Sequence, residues 1–160
     1  MVSGSGSATA GLVVAGDGPA REQVMAEFAR LDPARIEWLG EVPSGDVAKL
    51  YADGALYVWP GFGEAYGLAY LEAQASGLPV VAQAIDGVPG VVRDGETGML
   101  TPPRDVAALA EAIATLLEDG ARRRAMSVAA RRFVLEERSL EIAARRLGEI
   151  LGAVRGRGDA

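Results

Sequence analysis

The chain has 160 residues, of which 49% are hydrophobic, and it contains neither cysteine nor histidine. These two absences exclude disulfides, thiol chemistry and imidazole chemistry, and they argue against a tight zinc or copper site. The net charge of −6 argues against nucleic acid as a partner, and no apolar run approaches the ~20 residues that cross a bilayer. We therefore expect one domain with a cytoplasmic location, in which only the Arg-rich helices could make weak contact with the inner membrane face.

The order of apolar runs and helical stretches predicts the fold class. Residues 1–10 are expected to form a flexible leader, residues 11–152 the folded domain, and residues 153–160 a frayed tail. Apolar runs bounded by Gly, Pro and Asp predict strands over 12–15, 36–39, 55–59, 79–82 and 99–100. Strands that alternate with helices predict an α/β fold, in which a parallel sheet of about five strands has helices on both faces.

The predicted helices differ in how clearly the sequence marks their ends. The first is expected over 19–31, with three residues on its inner face: Val24, Phe28 and Leu31. Ser44 or Asp46 is expected to cap the second helix. Asp105 is expected to cap a later one, and that helix should turn five side chains inward: Val106, Leu109, Ile113, Leu116 and Leu117. Two Arg-rich helices follow, to about residue 135 and over 139–151, and their mixed charges indicate solvated faces.

The segment from Trp59 to Val81 contains two glutamates eight residues apart, Glu64 and Glu72. It is predicted to run from a strand through a glycine-rich turn into a short helix that ends near Gly77. Glu72 has only apolar and small neighbours on that helix, so its carboxylate should either find donors or line a cleft. The first N–H groups of the helix should be unpaired donors at the carboxyl end of a parallel strand, where ligands bind.

Each of these features also has a structural alternative. Glu64 could cap the helix that follows it, and Glu72 could accept bonds from the backbone of a neighbouring loop. The turn Gly16-Asp17-Gly18 lacks the third glycine of a dinucleotide fingerprint and could merely join a strand to a helix.

Four segments together resemble the retaining glycosyltransferases of the glycogen-synthase and mannosyltransferase type. They are Gly16-Asp17-Gly18-Pro19, residues 36–42, residues 64–81 and Asp94-Gly95-Glu96-Thr97-Gly98. Those enzymes have the GT-B fold of two facing Rossmann-like domains, and the resemblance covers about residues 11–150. It implies that this chain is one half of a GT-B fold, the C-terminal domain that binds a nucleotide diphosphate sugar.

The resemblance also implies roles for particular residues. Glu64 would be the catalytic residue and would bind hydroxyls of the donor sugar, while Glu72 would bind the ribose. The backbone of Tyr66, Gly67 and Leu68 would contact the sugar and the diphosphate. The turn formed by Gly16, Asp17 and Gly18 would lie beside the phosphates, and Trp38 and Leu39 near the base. No metal and no cofactor are expected.

The resemblance also sets what this chain is expected to lack. The family has an acceptor domain before the donor domain, and the donor domain starts with a further strand followed by an Arg and a Lys that neutralise the diphosphate. We therefore expect an inactive chain when it is alone, with an open sheet edge that could support a homodimer. Two other functions remain open: half of a GT-B sugar-nucleotide epimerase, and a non-catalytic assembly domain. Asp86 lies where the family has glycine, and it would add negative charge near the presumed phosphates.

Overall fold

The computed structural model describes residues 2–3, 11–63 and 67–156. In the first part of the chain, two short strands, β1 (Val2–Ser3) and β2 (Gly11–Ala15), precede helix α1 (Arg21–Phe28). A 3₁₀ turn (Pro33–Arg35) leads into β3 (Ile36–Gly40), and helix α2 (Ser44–Asp53) follows. Strand β4 (Tyr57–Trp59) then enters the second part of the fold.

The second part continues the alternation of strand and helix. Its elements are α3 (Leu68–Ala75), β5 (Val80–Gln83), α4 (Val88–Val91) and β6 (Gly98–Thr101). Three longer helices close the described chain: α5 (Val106–Glu118), α6 (Gly120–Phe133) and α7 (Leu140–Gly156). A π-helical turn (Val134–Arg138) joins the last two. None of the helices in the described ranges combines the length and the apolar character that spanning a bilayer requires.

The described strands form two sheets of three, where the sequence predicted one sheet of about five. One sheet has the order β1-β2-β3 and the other β4-β5-β6. The pairs β2–β3, β4–β5 and β5–β6 are parallel, whereas β1 pairs antiparallel with β2. The α/β class with parallel strands is confirmed, but its strands lie in two sheets, because no hydrogen bonds join β2 or β3 to β4 among the described residues. The short strand β1 lies within residues that we expected to form a leader.

Every buried residue of the described ranges lies at Tyr51 or later in the chain. All four residues of β5 are buried, and alternate side chains enter two different clusters. Val80 and Ala82 pack with residues of α3 and α4, while Val81 packs with Leu116 and Met126 on the other face. This strand is therefore covered on both sides, as expected for a parallel sheet. Within the described stretch 11–50, by contrast, no residue is buried.

Three details of the predicted helices are wrong. Helix α1 ends at Phe28, and Val24 and Leu31 are 39% and 53% exposed, because α1 has only the thin β2–β3 sheet to pack against. Phe28 is half-buried and meets the ring of Trp38 edge to face at 5.9 Å. Neither Ser44 nor Asp46 caps α2, because Pro43 occupies the N-cap position and no side chain accepts a capping bond.

The later helices follow the prediction more closely. Asp105 caps α5 by accepting a bond from the N–H of Ala108 at 2.9 Å. Leu116 is fully buried, but Val106 is 77% exposed because it occupies the first turn at the edge of the domain. Most of the Arg side chains of α6 and α7 are exposed, as predicted: Arg122, Arg124, Arg131, Arg132, Arg145 and Arg146. Arg123 is the exception, since it is half-buried and donates to the carbonyls of Leu116 and Leu117.

Candidate functional site

Helix α3 begins at the carboxyl end of β4, and Gly67 is its N-cap residue. Gly67 has φ 78° and ψ 46°, a left-handed conformation that glycine adopts readily. A Cβ atom at this position would come within 3.1 Å of Val91 Cγ2 and would collide with the ring of Tyr70. The first turn carries no acidic residue. The N–H of Tyr70 already donates to the carbonyl of Gly67 at 3.1 Å, whereas the N–H groups of Leu68 and Ala69 have no acceptor among the described residues. These two groups lie at the positive end of the helix dipole and can receive an anion.

Glu72 lies one turn further along α3 and is exposed. Its side chain lines a groove of about 320 Å³ between α2 and α3, together with Ser44, Val47, Ala48, Tyr51, Ala75 and Ser76. No described residue donates a hydrogen bond to the Glu72 carboxylate. The alternative in which a neighbouring loop satisfies this group therefore finds no support among the described residues. The carboxylate is an open acceptor beside an apolar wall, as the segment's pattern predicted.

Tyr51 lines the bottom of this groove, and the charge of Glu72 affects the pKa of its phenol. The side chain is 8% exposed, and its ring meets Tyr57 edge to face at 5.8 Å. Burial raises the pKa of the Tyr51 phenol, and the negative charge of Glu72 raises it further. Tyr51 therefore remains a neutral phenol at physiological pH and keeps one polar atom beside the Glu72 carboxylate.

The glycine turn after β2 contacts the end of β3. The N–H of Gly16 donates to the carbonyl of Gly40 at 2.7 Å. Asp17 accepts from the N–H of Gly18 at 2.7 Å and from Arg21 at 2.9 Å, which holds the turn closed onto the start of α1. Two predicted parts of the site, the turn and the segment ending at Gly40, are thus brought together at one edge of the first sheet.

The remaining predicted site residues differ in how far they are exposed and in which cavity they line. Trp38 is half-buried against Phe28, whereas Leu39 is 36% exposed and lines a second cavity of about 410 Å³ between the first sheet and α2. Leu68 is 63% exposed at the start of α3. Glu64 and Tyr66 lie outside the described residues. The structure therefore places Glu72 beside α2, and Gly16 at the end of β3, and the binding roles of these residues stay predictions.

The sequence analysis missed a buried amide at the carboxyl end of the second sheet. Gln83 is 5% exposed and is the last residue of β5. Its Nε2 donates to the carbonyl of Pro60 at 2.7 Å, and its Oε1 accepts from the N–H of Arg104. Gln83 therefore ties the loops after β4 and β6 together. The sequence does contain a signal for this buried amide, namely a polar residue at the end of an otherwise apolar strand.

Two charged residues near this edge have left-handed backbones. Asp86 follows β5 with φ 47°, and Arg104 follows β6 with φ 63°. Such values are unfavourable for residues other than glycine and concentrate at functional sites. No group of three or more Asp or Glu side chains in the described ranges is placed to hold a metal ion.

The described residues form an α/β domain in which parallel strands alternate with helices and the exposed carboxylate of Glu72 lines a groove beside α3. The family model for glycosyl transferases group 1 matches residues 5–119. The chain therefore belongs to the glycosyl transferases group 1 family.

Individual relatives agree with this assignment. D-inositol 3-phosphate glycosyltransferase of Mycobacterium tuberculosis is 44% identical over 101 residues, which cover 62% of this chain and 21% of that protein. Sulfoquinovosyl transferase SQD2 of Arabidopsis thaliana is 35% identical over 119 residues, which cover 72% of this chain and 23% of that protein. The chain spans about a fifth to a quarter of the length of the curated relatives that it matches.

Solved structures of GT-B glycosyltransferases share the fold. Sucrose-phosphate synthase from Thermosynechococcus elongatus superposes with a TM-score of 0.79 at 29% identity, over 91% of this chain and 39% of that one. Anabaena Alr3699/HepE in complex with UDP-glucose gives a TM-score of 0.79 at 25% identity, over 89% of this chain and 41% of that one. The predicted family and fold class are confirmed, and the chain corresponds to about two-fifths of these GT-B chains.

Proposed function

We propose that this chain is the donor-binding domain of a glycosyltransferase that moves a sugar from a nucleotide diphosphate sugar to an acceptor with retention. Glu72 would bind the ribose, and the first turn of α3 would receive the diphosphate. Glu64, outside the described residues, would contact hydroxyls of the donor sugar. The reaction would need no metal, because the donors of the α3 turn would stabilise the departing phosphate.

One observation carries this proposal: an open carboxylate and an anion-receptive helix start lie one turn apart on α3. Gly67 begins the helix at the carboxyl end of β4, and Glu72 lines the groove toward α2. A nucleotide sugar presents both hydroxyls, which donate to a carboxylate, and a diphosphate, which accepts from backbone N–H groups. The same short helix can therefore bind both ends of the nucleotide.

The names of the relatives support the class of ligand. One solved neighbour was crystallised with UDP-glucose, and another neighbour is a sucrose-phosphate synthase. We infer from the coverage of about two-fifths that the acceptor site lies on a part of the protein outside this chain. The chain alone should therefore bind a donor without transferring its sugar.

A titration with UDP-, GDP- and ADP-sugars, followed by amide NMR shifts, tests the proposal. We expect shifts concentrated at the start of α3 and along the groove that Tyr51 floors. Glu72→Gln should weaken binding by roughly tenfold, because it replaces a charged acceptor of a ribose hydroxyl. Glu111→Gln is the matched control, since Glu111 is also an exposed glutamate within a helix, and it should leave binding unchanged.

The result also separates donor binding from an assembly role. Spectra that remain unchanged at millimolar concentrations of all three donors would refute donor binding by this chain and favour the non-catalytic assembly domain. Binding that is equally strong in wild type and Glu72→Gln would refute the role of Glu72 while leaving the domain a nucleotide binder.

We also propose that the chain self-associates through a sheet edge. Among the described strands, β3 ends its sheet and has a hydrogen-bonded neighbour on one side only, which is β2. A strand edge presents backbone donors and acceptors that pair with another strand. Light scattering should therefore show dimers at high protein concentration, and a monomer throughout the concentration range would contradict this expectation.

A further inference from the structure

The loops after β4, β5 and β6 form a second charged site at the carboxyl edge of the β4-β5-β6 sheet. Phe62 follows β4 and is 59% exposed. The guanidinium of Arg104, after β6, lies over its ring at 5.5 Å from the centroid. Arg104 forms no ion pair with any described residue, so its charge is not neutralised within that part of the chain.

The backbone conformation of Arg104 is maintained by the buried side chain of Gln83, not by the conformational preference of arginine. Its backbone is left-handed at φ 63°, a conformation that an arginine adopts at a cost. Gln83 maintains it, because the buried amide accepts from the N–H of Arg104 and donates to the carbonyl of Pro60. The two loops that carry Phe62 and Arg104 are therefore fixed relative to each other before any ligand arrives.

The chemistry of this arrangement suits an anion. A guanidinium stacked on an aromatic face keeps its N–H groups directed outward in a planar fork, which matches phosphate or carboxylate oxygens. The edge on which it lies is the carboxyl edge of parallel strands, where ligands bind in this fold class. A structural role would not require the charge, since a glycine would adopt the same backbone more easily.

We propose that Arg104, stacked on Phe62, binds an anionic oxygen group of the ligand at this edge. This inference rests on the proposed function and extends it by assigning a specificity-determining residue outside the Glu64–Glu72 segment. The anion is a phosphate or a carboxylate, and it has two sources: the diphosphate of the donor, or an acidic group on the sugar or the acceptor.

Three variants separate binding from folding. Arg104→Gly removes the guanidinium and relieves the left-handed backbone, so its stability to urea should equal or exceed that of the wild type. Arg104→Lys keeps the charge but loses the planar fork, and it should bind anions with intermediate affinity. Arg132→Gln is the matched control, because it removes an exposed arginine of α6 and should change neither stability nor binding.

The binding assay has two arms that distinguish the sources of the anion. The first compares the affinity of the full chain for UDP with its affinity for uridine. The second compares a hexose 6-phosphate with the unphosphorylated hexose, with UDP present and absent, and follows the side-chain N–H signal of Arg104 by NMR. We expect Arg104→Gly to weaken binding of the anionic member of at least one pair by roughly tenfold, while the uncharged member is unaffected.

The outcomes divide cleanly between the two proposals. If neither anion depends on Arg104, or if the wild type binds neither at millimolar concentration, the inference is overturned. UDP binding that depends on Glu72 but not on Arg104 in either arm would leave the proposed function standing and remove only this inference. Binding of the hexose phosphate that depends on Arg104, without binding of UDP, would support the anion site and exclude a uridine nucleotide as the donor.

Discussion

Replacing Gly67 with alanine tests whether the start of α3 depends on the absence of a side chain. The left-handed backbone at φ 78° costs an alanine about 1–2 kcal/mol. The new Cβ would also lie 3.0 Å from Tyr70 Cε2 and 3.1 Å from Val91 Cγ2. Tyr70 is only 2% exposed, so its ring has no room to move away, and overpacking of this kind adds about 1–3 kcal/mol. We therefore expect Gly67→Ala to lower the free energy of unfolding by about 2–5 kcal/mol.

A matched glycine separates the two contributions. Gly95 has φ 75°, but no atom lies within 4 Å of the position that its Cβ would take. Gly95→Ala should therefore show only the backbone cost, about 1–2 kcal/mol. Urea denaturation followed by circular dichroism and tryptophan fluorescence measures both values by linear extrapolation. If both variants lose the same stability, the packing of Tyr70 against Gly67 does not restrict this site, and the reasoning fails.

Two further predictions concern the groove and the core. Glu72→Gln should lower the pKa of Tyr51 toward its ordinary value of about 10, because it removes a negative charge that raises this pKa, and a titration followed by phenolate absorbance measures the change. Folding raises the pKa of Tyr51, so the neutral phenol contributes to the free energy of unfolding below pH ~10, and this contribution is lost as the pH rises through the pKa of the folded state. Tyr51→Phe should therefore reduce the fall in the free energy of unfolding at alkaline pH. An unchanged dependence of stability on pH would contradict this expectation. Leu116→Ala should lower the free energy of unfolding by about 2–5 kcal/mol, because Leu116 is fully buried. Val106→Ala, at a 77% exposed position, should change stability by less than about 0.5 kcal/mol in the same urea experiment.

The sequence predicted those parts of the fold that local patterns determine. The capping role of Asp105 follows from a side chain that reaches a backbone N–H three residues away. The strand at 79–82 follows from a short run of apolar residues bounded by glycine and proline, and it proves to be buried on both faces. The acidic residue within an otherwise apolar helix, Glu72, was expected to find donors or to line a cleft; it lines the groove between α2 and α3, and its binding role stays a prediction.

The rest of the fold and site depended on contacts between distant residues. The apolar pattern of α1 predicted a buried face, but burial requires a partner, and the β2–β3 sheet gives α1 no buried residue. The division into two sheets depends on which strands pair, and this is a tertiary property that no single segment encodes. Arg104 and Gln83 are 21 positions apart in the sequence, and only the fold brings the amide to the backbone that it supports.

The two halves of the proposed site lie on parts of the chain that differ in how many buried residues they hold. Glu72 and Gly67 lie in the stretch from Tyr51 onward, which holds every buried residue of the described chain, while Gly16 and Trp38 lie in the stretch 11–50, where no residue is buried. Local opening is easiest where few apolar contacts resist it. A ligand that binds the folded form of a segment, and not its locally opened form, makes local opening less frequent. A donor that contacts both parts should therefore reduce local opening most in the stretch 11–50. Hydrogen exchange should therefore slow more over 11–50 than over 80–83 when UDP-glucose is added, and equal slowing in both stretches would show that the nucleotide does not bridge them.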